Sequence, residues 1–274
     1  MEIGIIGTGN MGKILTEALL DGKAVSPSSM IITNRTLMKA ITIQEIYPEI
    51  RITQHIEEIG KQADLIFICV KPHDVYDVTK KLKPFITKEK CVISITSPIS
   101  VHQLESVLPC SVARVIPSIT NRALTGVTLF TFGQKCEESW KVLLKELMNH
   151  ISRPIEISEE ITRVASDIVS CGPAFYSYLT QRFIQAAVHE TKIDQETATI
   201  LASDMLIGLG ELLRKGYYTL PTLQDKVCVK GGITGEGINV LENEIGDMFE
   251  KVFQATHMKF EDDIAKLRGQ YINK

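Results

Sequence analysis

The sequence predicts an α/β domain with a mostly parallel sheet followed by an all-helical domain, and three observations carry that expectation. Short apolar runs alternate with helical patterns through the first half, which is how successive β-α-β units read. A Gly-x-Gly-x-x-Gly turn, "GIIGTGNMG", follows the first apolar run and opens a helical pattern. Strand signals stop near Ser158, and a 3.6-residue period takes over in "SEEITRVASDIVSCGPAFYSYLTQRFIQAAVHETK" and "DQETATILASDMLIGLGELLRKG". The boundary falls there, giving residues 1–158 to the sheet domain and 159–274 to the helical one. A chain of 274 residues is long enough for both.

Eight strands are expected, at 2–6, 30–33, 51–53, 65–69, 91–95, 111–116, 127–131 and 154–157. Most are short runs rich in Val and Ile, the composition of strands buried on both faces. Helical patterns fall between them, among others at 11–21, 73–83 and 137–151. In the second half Pro173 removes a backbone donor from a helical pattern, so a kink or break is expected around 171–173. A further interruption is "VCVKGGITGEG", with four glycines in eleven residues between two helical stretches.

Composition narrows the function classes. Hydrophobic residues make up 44% and charged residues 23%, and the formal charge is −3 without a local Lys/Arg run. A nucleic-acid partner is therefore not expected. The six cysteines are scattered with no Cys-x-x-Cys pair, and the six histidines occur singly, so neither a disulfide framework nor a metal site is indicated. A nucleophilic role for Cys171, ahead of a helix start, lacks a paired base. No stretch approaches the length of a membrane span, and the chain enters a strand directly at "MEIGIIG". A cytoplasmic protein without a membrane partner is the expectation.

The Gly7-x-Gly9-x-x-Gly12 turn has the context of a Rossmann dinucleotide site. Gly7 permits the tight turn, Gly9 lets the backbone approach a pyrophosphate, and Gly12 lets the helix pack on the strand. Asn10 and Met11 fall on the helix start that would face the phosphates. An NAD site usually carries Asp or Glu about 20 residues beyond the glycines, to accept from the ribose 2′-OH. Here that strand ends "ITNRT", so Asn34 and Arg35 offer donors and a positive charge where a carboxylate would repel a 2′-phosphate. NADP(H) is favoured, with NAD(H) the alternative; a solvated Arg35 is the bland reading. The fourth strand delivers Val70, Lys71 and Pro72 to the carboxyl edge of the sheet, where ligands of open α/β sheets bind, and the sixth delivers Pro117 and Ser118.

With these residues assembled, the chain resembles the pyrroline-5-carboxylate reductase family over essentially its whole length. The matching pieces are "GIIGTGNMG", "TNR", "VKP", "RVIPS", "CGPAFYSYL" and "VKGGITGEGINVLE". The resemblance implies a Rossmann domain for NAD(P)H and a helical domain that interlocks with a second subunit, in a homodimer or a larger homo-oligomer. It implies reduction of the cyclic imine of pyrroline-5-carboxylate to proline. It also implies that the loop Lys230, Gly231, Gly232, Ile233 and Thr234 holds the substrate carboxylate on backbone N–H groups, with the Thr234 hydroxyl by the ring nitrogen as the catalytic side chain.

The departures from the family pattern gather at the substrate end. Val229-Lys230 stand where the family usually has Ser-Pro, and Ile233-Thr234 where it often has Thr-Thr or Ala-Thr. Its "MPN" is Ile116-Pro117-Ser118 here, and its "GSGPA" is Ser170-Cys171-Gly172-Pro173-Ala174. Diverged members of this kind are found among late competence operon proteins. Two readings follow: a reductase of a cyclic imine, or a catalytically weakened NADP(H)-binding regulatory or sensor protein of the same fold. The β-hydroxyacid dehydrogenases, which also join a Rossmann domain to helices, rely on a lysine that "CGPAFYSYLTQRFIQ" does not offer.

Overall fold

The chain, a computed structural model that describes residues 1–229 and 231–272, starts with eight strands: β1 (Ile3–Ile6), β2 (Met30–Thr33), β3 (Arg51–Ile52), β4 (Leu65–Ile68), β5 (Cys91–Ser94), β6 (Ser111–Ile116), β7 (Val127–Phe132) and β8 (Arg153–Glu156). They form one sheet in the order β3-β2-β1-β4-β5-β6-β7-β8. All pairings are parallel except β6 with β7, where the chain turns back through a short connection. The helices are α1 (Asn10–Asp21), α2 (Met38–Gln44), α3 (Ile56–Gln62), α4 (Pro72–Leu82), α5 (Val101–Val107), α6 (Glu138–Asn149), α7 (Thr162–Ser166), α8 (Gly172–Glu190), α9 (Gln195–Arg214), α10 (Leu220–Val227), α11 (Ile233–Ile245) and α12 (Met248–Ile272).

Alternation along the strands sorts the core into two layers. Ile3, Ile5, Leu65, Phe67 and Ile93 face Leu15, Leu19, Leu144 and Met148 of α1 and α6. Ile6, Ile66, Ile68 and Val92 face Ile59, Val75, Leu82 and Leu104 of α3, α4 and α5. Each fully buried side chain of this size stabilises the fold by roughly 1.5–3 kcal/mol. The helix chemistry agrees with the layers. α4 starts on Pro72, carries Asp74 in its first turn and Lys80 and Lys81 in its last, and buries Val75, Val78, Thr79 and Leu82 on one stripe.

The kink expected at 171–173 takes another form. Residues Asp167–Cys171 make one π-helical turn between α7 and α8, and Pro173 occupies the first turn of α8, where its missing donor is tolerated.

Two compact units divide the chain, and not at residue 158. One is Met1–Pro173 together with the chain from Ala255 on; the other is Ala174–Gln254. The last turns of α12 join the sheet unit because they are apolar toward it. Leu267 is buried with Val75 and Leu82, Tyr271 packs edge-on against Tyr76 with ring centroids 4.9 Å apart, and Gln270 Nε2 donates to the His73 carbonyl at 3.2 Å. Residues 159–173 join it through Thr162, Asp167 and Ser166, all buried there. Among the described residues no helix is long and apolar enough to cross a membrane.

Candidate functional site

The glycine turn after β1 has a steric reason at each position. Gly7 has φ +99°, and a Cβ there would lie 2.6 Å from the Cys69 carbonyl oxygen, while its N–H donates to Thr33 O at 2.8 Å. A Cβ at Gly12 would lie 1.9 Å from Gly7 O and 3.0 Å from Cys69 Cβ, so α1 can press against the turn only without one. Gly9, the residue that starts α1, faces open space: nothing lies within 4 Å of a Cβ built on it. No side chain caps this helix start and its first turn has no acidic residue. Its free N–H groups and the positive end of the helix dipole therefore fit a pyrophosphate.

In front of this turn lies a cleft of about 730 Å³ in the sheet unit. It brings together Gly7, Gly9, Asn34, Arg35, Val70 and Lys71, six of the residues picked out from sequence. Asn10, Met11 and Gly12 lie on the first turn of α1 behind it, and Pro72 forms the first turn of α4. Lys71 is exposed at the α4 N-cap position with extended backbone.

Asn34 and Arg35 play different parts. Asn34 Oδ1 accepts from the Thr8 N–H at 3.0 Å and Asn34 Nδ2 donates to Thr36 O at 2.9 Å, so this side chain holds the glycine turn to the end of β2. It was expected to donate to the cofactor's ribose end; its Oδ1 and one of its two N–H groups are taken by the protein's own backbone. Arg35 is exposed on the cleft, and its guanidinium has no partner among the described residues. Lys39, in the first turn of α2, lines the same cleft, and its ammonium is equally unpartnered among the described residues. Sequence reasoning missed Lys39, which the start of α2 brings back beside the end of β2. It also missed Asp74, Asp77 and Lys81, which α4 presents to the cleft.

Pro117 and Ser118, expected at the cofactor, do not line the cleft. Ser118 is fully buried. Its Oγ donates to Val169 O at 2.7 Å, and its N–H donates to Asn121 Oδ1 at 2.8 Å. Pro117 O accepts from Ser170 Oγ at 3.0 Å. This corner stitches the end of β6 to the π turn, and the Ser118 hydroxyl serves that contact. Burial pushes the Cys171 thiol above its ordinary pKa, with Arg163 pulling the other way, so no activated nucleophile is evident there.

The second glycine-rich loop lies in the other compact unit. α10 ends at Val227, Gly231 takes φ +73°, and Gly232 starts α11 with its N–H on Val229 O at 2.8 Å. No side chain caps α11 either. Ile233 is 93% exposed and Val229 68%, and Thr234 is exposed in the helix's first turn. Lys230 lies outside the described residues.

Comparison with known proteins agrees with both halves. Residues 159–262 match the pyrroline-5-carboxylate reductase dimerisation family, and residues 2–98 match the NADP oxidoreductase, coenzyme F420-dependent, family. The chain is 56% identical over 271 residues to ComE operon protein 4 of Bacillus subtilis, covering 99% of both. It is 29% identical to pyrroline-5-carboxylate reductase 3 of the same organism, covering 95% of this chain and 96% of the relative. Its fold is similar to that of a pyrroline-5-carboxylate reductase from Coxiella burnetii, with TM-score 0.85 at 24% identity over 96% of this chain and 98% of that one. A Plasmodium falciparum pyrroline carboxylate reductase with NADP bound gives TM-score 0.81 at 20% identity, over 98% of each. By full-length identity to ComE operon protein 4 and by its two matched parts, the chain belongs to the pyrroline-5-carboxylate reductase family.

Proposed function

We propose that this protein is an NADP(H)-dependent reductase of a cyclic imine bearing a carboxylate, pyrroline-5-carboxylate or a close relative, and that it works as a homodimer through its helical part. The observation that carries the reading is one cleft with an uncapped helix start over Gly9 at one end and two unpartnered cations, Arg35 and Lys39, at the other. That is the charge pattern a pyrophosphate and a 2′-phosphate ask for. The dinucleotide supplies a hydride when bound; the protein's share is to orient and to exclude water.

At the substrate end the uncapped start of α11 offers backbone donors to a carboxylate, and Thr234 offers a hydroxyl to the ring nitrogen. A protonated imine is electrophilic already, so this assignment asks for no proton-transfer dyad. Lys230 is assigned to the same carboxylate. The exposed apolar side chains of the helical unit, Phe183, Leu201 and Met205 among them, support a second copy as the partner. NAD(H) remains the weaker cofactor because no carboxylate ends β2 to take the 2′-OH.

NADPH oxidation followed with pyrroline-5-carboxylate tests the reading. Turnover is expected, and Thr234→Ala is expected to lower kcat about tenfold to a hundredfold while NADPH affinity stays unchanged. No turnover with tight NADPH binding would instead support the second reading, a cofactor-binding regulatory protein. The exposure of Val229 and Ile233 beside the α11 start favours that alternative, since neither side chain offers a carboxylate a hydrogen bond. The cofactor preference has its own test. Arg35→Ala and Lys39→Ala are each expected to weaken NADPH about tenfold in fluorescence titration, through loss of a charge-assisted bond of about 1.5 kcal/mol, and to leave NADH within twofold. Equal losses for both cofactors would remove the 2′-phosphate from the account.

A further inference from the structure

We propose that Cys91 and Cys136 form a thiol pair that a small peroxide oxidises to a reversible disulfide, at the amino edge of the sheet. One chain of contacts through Ser111 brings the two together. Cys91 is the first residue of β5 and pairs in register with Ser111, the first residue of β6. Ser111 Oγ accepts from the Glu137 N–H at 3.1 Å, which seats the residue before it, Cys136, next to β5. The two thiols lie close enough to act on each other's ionisation. The cofactor cleft opens at the other, carboxyl edge of the sheet, beyond β1 and β4, so nothing in the proposed reduction uses this pair.

The two sulfurs have unequal chemistry. The neighbouring Cys91 thiol, with Lys141 and Ser111 adding to its effect, holds the Cys136 thiol below its ordinary pKa against the opposing effect of burial. Burial pushes Cys91 well above its own. Cys136, which faces the Lys141 ammonium, is assigned as the attacking sulfur, since the thiolate is the nucleophile. It is also the less buried of the two: Cys136 is 6% exposed, between the exposed Lys135 and Glu137 in the chain, whereas Cys91 is wholly buried. Cys110 is the competing thiol: it precedes Ser111 and acts on both Cys91 and Cys136, but burial pushes it to about 12 and its side chain packs with the opposite layer of the core. Among the described residues these cysteines belong to no group that could hold a metal ion.

The reaction balances with hydrogen peroxide as the only co-reactant. The Cys136 thiolate attacks one peroxide oxygen, the O–O bond breaks, and the departing hydroxide takes a proton to become water, leaving a sulfenic acid. Cys91 then gives up its proton and attacks the Cys136 sulfur. The S–O bond breaks, the hydroxide leaves with that proton as water, and the S–S bond forms. Two thiols and one peroxide thus become one disulfide and two waters, with two electrons passing from sulfur to oxygen. The cross-link ties residue 91 to residue 136 across β6 and β7. Restricting the unfolded chain in this way is expected to raise Tm by roughly 5–10 °C.

The test uses the full-length chain treated with a small excess of hydrogen peroxide, denatured, alkylated with iodoacetamide and mapped by mass spectrometry. The expected result is a Cys91–Cys136 linked peptide that dithiothreitol abolishes, with Cys69 and Cys110 recovered alkylated. Cys136→Ser is expected to give no link. Cys91→Ala is expected to leave a Cys136 sulfenic acid that dimedone captures. Recovery of Cys91 alkylated in the wild-type chain, whether Cys136 is untouched or over-oxidised to a sulfinic acid, would overturn the proposal. A link to Cys110 instead would do the same.

Discussion

Arg114→Ala is expected to lower the free energy of unfolding by about 3–5 kcal/mol. Arg114 lies in β6 with its side chain 3% exposed, and its guanidinium holds three separate segments. Nη1 donates to the carbonyls of Ser97, at 3.1 Å, and Ile99, at 3.4 Å, in the loop after β5. Nη2 donates to Thr131 Oγ1 on β7 at 3.2 Å and to Thr162 Oγ1 at the start of α7 at 2.5 Å. Glu159 supplies the counter-charge at 3.4 Å from a half-exposed position.

Burial pulls the Arg114 pKa down and Glu159 pushes back, so much of the ion pair's attraction offsets desolvation. The loss on truncation comes instead from buried acceptors left without donors, at about 1–3 kcal/mol each, plus the cavity. Arg114→Lys is expected to recover less than half, since one ammonium cannot span four acceptors on three segments. Urea denaturation of the three proteins measures this. An Arg114→Ala loss under 1 kcal/mol would mean that the network contributes little.

The sheet was legible in the sequence almost strand by strand, and the site only in part. Parallel strands buried on both faces leave uninterrupted runs such as "LIFI", and the expected strands, the more exposed β3 and β8 included, end within one residue of the observed ones. The glycine turn was equally plain, because its three positions answer to local sterics. What sequence could not carry was pairing at long range. Ser118 and Val169 are far apart in the chain, and nothing in their local patterns says that one donates to the other. Asn34 looked like a ligand donor because it ends the right strand; its two bonds to Thr8 and Thr36 belong to the folded turn alone. The docking of the last turns of α12 was illegible for the same reason: nothing local to Leu267 and Tyr271 names Val75 and Tyr76 as their partners.

Gly12→Ala and Gly9→Ala are expected to fail in opposite ways, although both remove a glycine from one turn. At Gly12 the added methyl would sit 1.9 Å from Gly7 O, a backbone atom that cannot swing aside as a side-chain tip can. Either α1 lifts off β1 or the turn opens, and overpacking of this kind costs about 1–3 kcal/mol. Gly12→Ala should therefore lower Tm by several degrees and weaken NADPH at least tenfold, because the displaced helix start no longer points at the phosphates. At Gly9 a methyl meets nothing within 4 Å in the free protein. Gly9→Ala should keep Tm within about two degrees and still lose NADPH affinity tenfold or more, because the methyl occupies the path by which a pyrophosphate reaches the backbone. Thermal melts with and without NADPH separate the two, since the shift that saturating cofactor adds to Tm reports binding alone. If Gly9→Ala keeps the full NADPH-induced shift, the phosphates do not pass over Gly9, and the open face of that residue needs another explanation.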